Sequence, residues 1–364
     1  MTFLFLLIVL VGVPFFLFRK KGAGLLSGSL DFRVTRYAKG LLMLGVIMHH
    51  LSLCCSPDTC APWESIVNLF QGSGAFLCSA FFFFSGYGLV HSLMVKEGYL
   101  GTIPRRMASI LIPYLIANVI YGSVYFLSWE PLEGESLIGR IAACLTNIVY
   151  EEAHGSTLVM YAWFIDQILL LYLFFHISNK YLSPLKALFA QLILCMGFIM
   201  LIRHLGWGGW RYNSMLAFIF GQLYRYCLVV PSLKRRCAYF ILPVLALAAC
   251  LYVAKACLGM NVPFMGVLAC PLYILPGIVI LSFLEARPCK LADLVSSASF
   301  DIYMYQGICF LLSSYLCLET PSYCLCVLIS SLVVGYLAHL MGYRASAFIL
   351  NVPPISSWIG KGRV

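Results

Sequence analysis

Charge is what this chain has least of. Only 10% of its 364 residues are Asp, Glu, Lys or Arg, against roughly 25% in a soluble globular domain. With 62% hydrophobic residues and a mean hydropathy of +0.93, that scarcity excludes a soluble domain and leaves a polytopic helical membrane protein. Other absences narrow the class further. No segment alternates apolar and polar residues over about ten positions, which excludes an outer-membrane barrel. The 16 cysteines form no C-x-x-C pair and no zinc-like spacing, so no metal site is expected. Most of them lie in apolar runs, where a thiol packs as a small apolar group. Cys54, Cys55 and Cys60 cluster at one predicted loop, where a disulfide and reduced packing both stay open. There is no internal repeat and no low-complexity tract. No positive charge precedes the first apolar run, Met1 to Phe18, and no A-x-A site follows it. Arg19, Lys20 and Lys21 follow instead, which predicts an uncleaved helix rather than a secretory signal. The formal charge of +10 is divided among short loops, not gathered in one patch, and this excludes a nucleic-acid partner.

What is present is a series of apolar runs long enough to cross a bilayer. They fall at 1–18, 37–54, 68–94, 107–127, 160–178, 186–203, 213–228, 237–257, 263–284, 300–318 and 322–342. The predicted fold is all-α, a polytopic transmembrane helical bundle of ten core helices plus one extra N-terminal helix. Three regions follow: 1–36, the N-terminal helix and a basic linker; 37–342, the membrane domain; and 343–364, a tail too short to fold alone. Segment 137–150 is mildly amphipathic and suits the membrane surface. With the N-terminus outside, 20 of the 24 Lys and Arg residues fall on the inner side and four on the outer side. That bias predicts an outside N-terminus and a cytoplasmic C-terminus in a plasma-membrane protein. Glu130, Glu133, Glu135, Glu151 and Glu152 then lie in the longest outer loop.

Two ionisable residues lie inside the second run. Lys39 and His50 are eleven apart, and eleven steps of about 100° come within roughly 20° of three full turns, with a rise of about 16 Å. They share one helix face, the lysine near one membrane surface and the histidine about halfway across. Ionisable groups in hydrocarbon are costly and mark function by default. His49 points about 100° away and is expected to pack or orient its neighbour.

These residues resemble a family. Lys39-Gly40-Leu41-Leu42-Met43-Leu44-Gly45-Val46-Ile47-Met48-His49-His50 is similar to the Lys/Arg-x10-His signature on the first core helix of the integral-membrane acyltransferase-3 family. Phe81 to Tyr87 resembles that family's F-F-x-x-S-G-Y/F segment. Arg105-Arg106 with Ile112-Pro113-Tyr114 resembles its basic, proline-bearing third core helix. Ala162-Trp163-Phe164 resembles its W-F motif, and Ile302-Tyr303-Met304-Tyr305 its late I-Y-L motif. The order along the chain matches, and residues 37–342 supply the family's ten core helices. The chain departs from the pattern at Arg36, where an acidic residue is common, at Gln306, where a histidine is usual, and in its additional N-terminal helix.

The resemblance implies a membrane O-acyltransferase that moves an acyl group, acetyl by expectation, from acyl-CoA to a hydroxyl of a carbohydrate or lipid-linked glycan. Acyl-CoA is then a donor substrate and not a bound cofactor, and the partners are the acceptor and membrane lipid. His50 and Lys39 are the implied catalytic pair. An alcohol attacking a thioester needs a base to take its proton, and an imidazole suits that role near neutral pH. Lys39, Arg105 and Arg106 are the expected holders of the donor's phosphates. Ser85, Tyr87 and Trp163 are candidates to shape the site or to meet the developing oxyanion. The same residues admit plainer roles. Lys39 can snorkel to the interface, Ser85-Gly86 can permit close helix packing, and Tyr87 and Trp163 can act as interfacial anchors. The competing function is a transporter or flippase, which typically shows internal repeats that this chain lacks. Asp166, one turn into a run, suits pairing with a cation or an acceptor. Gly206-Trp207-Gly208-Gly209-Trp210 suits either a sugar or membrane anchoring. Glu151, Glu152 and His154 are expected to be solvated loop residues.

Overall fold

A hydrocarbon solvent offers no hydrogen bonds, so the chain must satisfy its backbone groups within helices. The computed structural model describes residues 17–20, 30–54, 70–128, 159–229, 265–282, 284–316 and 320–350, with positions 136, 138, 139, 142 and 146. Among the described residues there are ten helices. They are α1 (Phe32–Cys54), α2 (Gly74–Val95), α3 (Ile103–Ser128), α4 (Trp163–Tyr181), α5 (Pro184–His204), α6 (Leu216–Val229), α7 (Met265–Ser282), α8 (Lys290–Ser297), α9 (Ser299–Ser314) and α10 (Thr320–Leu350). Five of the described segments are long and apolar enough to cross a membrane: Phe32–Cys54, Gly74–Val95, Tyr99–Val124, Pro184–His204 and Ser322–Gly342. The expected span 1–18, apart from its last two residues, lies outside the described residues, as does 237–257. So do Cys55, Cys60, Glu151, Glu152, His154, most of 137–150 and the tail from 351.

The structure adds three features to the sequence reading. A two-stranded antiparallel ribbon pairs β1 (Phe18–Lys20) with β2 (Leu284–Ala286), with Phe18 opposite Ala286. Two connecting segments there satisfy each other's backbone in a bundle expected to be wholly helical. The short helix α8 was not anticipated, because Lys290 and Asp293 make it amphipathic rather than apolar. Helix α10 runs past the expected end at 342 to Leu350.

Local chemistry sets several helix boundaries. Asp31 Oδ1 accepts from the Arg33 and Val34 backbone amides at 2.8 and 3.1 Å and so caps two orphan donors at the start of α1. Pro184 opens α5 at a position where a missing N–H costs nothing. The outward faces are apolar. Leu111, Leu115 and Val119 on α3 and Ile329, Val333 and Leu337 on α10 repeat every four residues and are exposed, as lipid contact requires. Polar groups turn inward: Gln222 donates to Gln191 at 2.7 Å, with both residues buried.

Among the described residues two large apolar clusters fill the interior, and a third, smaller one gathers Leu17, Val34, Tyr37 and Ala286 beside the ribbon. Of the large two, one joins Phe82 and Phe83 of α2 with Leu171 and Phe175 of α4, Phe218 of α6 and Ile278 of α7. The other joins Met43 and Ile47 of α1 with Ala117 of α3, Met304 of α9 and Val327 of α10. In lipid the drive for such packing is close contact, not escape from water. Helices α2 and α6 show it directly. A Cβ on Gly86 would strike the Phe218 carbonyl, and one on Gly221 would strike the Phe83 carbonyl.

Candidate active site

At the seam of the two larger clusters, α1, α2, α3, α4 and α9 line a partly open cavity of about 180 Å³. Lys39, Ser85, Tyr172 and Ser299 line one end of it. Met43, Cys78, Phe164 and Tyr303 line the other. The helix directions establish these ends. Gly40, next to Lys39, lies against Ser296, and Gly74, at the start of α2, lies against the His49 ring. The cavity therefore runs along α1 from the Lys39 level as far as Met43, in the direction of His50, which is not itself among its lining residues.

At the Lys39 end a second cation is close. The Arg106 guanidinium donates to the Tyr99 hydroxyl at 2.7 Å and lies 5.6 Å from the centroid of the Tyr172 ring, a cavity wall. It is near enough to Lys39 for the two charges to interact. Arg105 precedes it on the same helix, and both residues are exposed. Arg36, three before Lys39, is tied to α8 by its guanidinium, at 3.4 Å from Asp293 Oδ1 and 3.0 Å from the Asp293 carbonyl.

His50 is buried, with 6% of its surface exposed. Its Nδ1 lies 3.0 Å from Gln306 Oε1. The amide group of Gln306 cannot turn the other way, because its Nε2 donates to the Tyr303 carbonyl at 3.0 Å, and a carbonyl only accepts. In the neutral imidazole, Nδ1 therefore carries the proton and Nε2 keeps the lone pair. The Tyr161 ring stacks on the imidazole at 3.7 Å with 10° between planes. Phe310 meets it edge-on at 6.5 Å. His49 faces elsewhere, its Nδ1 3.0 Å from the Phe70 carbonyl, as its helical phase predicts.

The structure sorts the remaining sequence candidates. Ser85 lines the cavity, whereas Tyr87, about 200° further round α2, does not. The Tyr87 hydroxyl accepts from the Leu30 amide at 2.9 Å, and its ring stacks near His91 at 6.3 Å. Trp163 is buried and edge-on to Trp210 at 5.7 Å, close to the His50 end but outside the cavity wall. Asp166 pairs with Arg211 at 3.4 Å, and the Arg211 guanidinium lies 4.6 Å from the Trp207 ring. Gln306, noted in the sequence only as a departure from a motif, proves to be the partner of His50. Tyr161 carried no local signal at all.

A profile of the acyltransferase-3 family, described as an acyltransferase domain, matches residues 32–340. No curated protein and no solved structure matches the chain.

Proposed function

The chain belongs to the acyltransferase-3 family of membrane acyltransferases, and on that premise we propose that it carries an acyl group, acetyl by preference, from acyl-CoA to a hydroxyl of a carbohydrate or lipid-linked glycan. Family membership sets aside the transporter or flippase reading. The observation that carries the proposal is the fixed Gln306 amide, which leaves the lone pair of the buried His50 on Nε2.

His50 is the base and then the acid. The acceptor oxygen attacks the thioester carbon as its proton passes to Nε2. The carbonyl π electrons move onto oxygen, giving a tetrahedral oxyanion. Collapse re-forms the carbonyl and breaks the C–S bond. The departing thiolate takes the proton from Nε2, so an ester and free CoA leave with the imidazole neutral again. Lys39 and Arg106, at the opposite end of the cavity, hold the donor's phosphates. The pantetheine arm follows the cavity towards His50, along a helix that rises about 16 Å between the two residues. The 20-to-4 distribution of basic residues supports a cytoplasmic Lys39 end and an outside N-terminus, and we place the chain in the plasma membrane.

The test is label transfer from [14C]acetyl-CoA by purified protein in nanodiscs, with extracted envelope glycans as acceptor. Label should enter the glycan fraction, and His50→Ala should lower the rate on the order of a hundred- to ten-thousand-fold. A folded His50→Ala protein that transfers at the parent rate refutes the assignment.

A further inference from the structure

Tyr303 joins the cavity to His50. Its ring is part of the cavity wall at the His50 end. Its hydroxyl donates to the Tyr161 carbonyl, and the Phe164 backbone amide faces the same oxygen. Its own carbonyl anchors the Gln306 amide that holds His50. Tyr161 closes the circuit by stacking on His50. Tyr161 also has φ +69°, the only positive value at a non-glycine residue among the described residues. A bulky side chain there is strained and persists only because its surroundings impose it. The bond from Tyr303 and the stack on His50 are two of those constraints.

We propose that Tyr303 is a catalytic residue of the acyl transfer, its hydroxyl turning from the Tyr161 carbonyl to donate to the thioester oxygen as that atom becomes the oxyanion. This rests on the acyl-CoA reading of the same site. Such a reaction needs a donor aimed at the oxygen that gains charge. The polar side chains on the cavity wall divide by level. Lys39, Ser85, Tyr172 and Ser299 belong to the far end, beside the phosphates. At the His50 end the wall offers Cys78 and Tyr303, and of these the phenol is the effective donor, a thiol being weak. The resting hydroxyl already donates to a carbonyl oxygen, so the catalytic contact replaces one acceptor by a more negative one of the same kind. The proton stays on Tyr303 throughout. The acceptor's proton still travels through His50, and the balance of the reaction is unchanged. Release of the Tyr161 carbonyl also frees a strained residue from the face of the imidazole, which opens space beside the base as the donor arrives.

Tyr303→Phe tests this, because it removes one oxygen and keeps the ring. With acetyl-CoA as donor, glycerol as surrogate acceptor and CoA release read by chromatography, kcat should fall about a hundred- to a thousand-fold. KM for acetyl-CoA should stay close to that of the parent. Incorporation of 3-fluorotyrosine at 303 supplies a variant with the native shape and a more acidic phenol. Its kcat should rise at a pH where the phenol stays protonated, a response that a purely structural tyrosine does not give. A Tyr303→Phe protein at the parent rate, or a rate indifferent to fluorination, overturns the role of Tyr303 while leaving the His50 assignment standing. A parent protein that releases no CoA from acetyl-CoA removes both.

Discussion

Replacing Gln306 by Met tests the premise that His50 is held in one tautomer. Methionine keeps the length of the side chain and fills the same volume, but it offers no good acceptor to Nδ1–H. Gln306 is fully buried, so no water is positioned to take over the bond. A buried donor left unsatisfied costs about 1–3 kcal/mol. That penalty falls on the tautomer that does the chemistry, and at 1.36 kcal/mol per tenfold it lowers kcat roughly 5- to 150-fold. The effect should be smaller than that of His50→Ala, which removes the base outright. Gln306→His is the complementary variant, since a neutral imidazole can accept from Nδ1–H, and it should retain most of the activity. The measurement is CoA release from acetyl-CoA by protein in nanodiscs, beside a thermal midpoint for each variant. A Met variant that folds like the parent and turns over at the parent rate refutes the tautomer argument. So does a His variant as impaired as the Met variant.

Three further outcomes follow from other parts of the structure. Lys39→Ala should raise KM for acetyl-CoA about 10- to 100-fold, the worth of one charge-assisted contact, with a smaller change in kcat, and Lys39→Arg should recover part of the loss; unchanged donor affinity in titration calorimetry would reduce Lys39 to a snorkelling residue. Gly86→Leu should unfold the α2–α6 crossing, because even a Cβ meets the Phe218 carbonyl; a variant with the parent's thermal midpoint in detergent would contradict the packing described. Asp31→Ala should cost about 1 kcal/mol by loss of the α1 cap, and Asp31→Asn should cost less, with both read as shifts in thermal midpoint.

What the sequence made legible was whatever depends on helix period. The Lys39–His50 face and the divergence of His49 both come from steps of about 100°. Ser85 and Tyr87 stand together in one motif, and it is the structure that separates them, since of the two only Ser85 lines the cavity. Features that depend on contacts between distant helices were hidden. Gln306 meets His50 across 256 positions, and no local pattern announces a partner at that range. Tyr161 adopts a backbone conformation that its residue type resists, so propensity points the wrong way. Asp293, which receives Arg36, sits on a helix too short and too polar to register among membrane spans.

The burial of His50 sets a physical requirement that its neighbours meet together. A polar ring inside a bundle is tolerable only when its hydrogen-bonding atoms have fixed roles. Gln306 fixes Nδ1, Tyr303 fixes Gln306, and Tyr161 lies between the imidazole and the Tyr303 hydroxyl. His50 comes from α1, Tyr303 and Gln306 from α9, and Tyr161 from the turn before α4. Rotation of any one of these about its axis would break at least one contact in the circuit. The close crossings that hold the bundle in register, such as Gly86 against α6, therefore serve the chemistry as well as the packing. In its proposed role as a base, His50 needs a rigid support more than an extensive one. The cavity runs from the Lys39 level to Tyr303, one member of this circuit, so on the proposed reading a donor entering from that end meets Tyr303 and Phe164 before it meets His50.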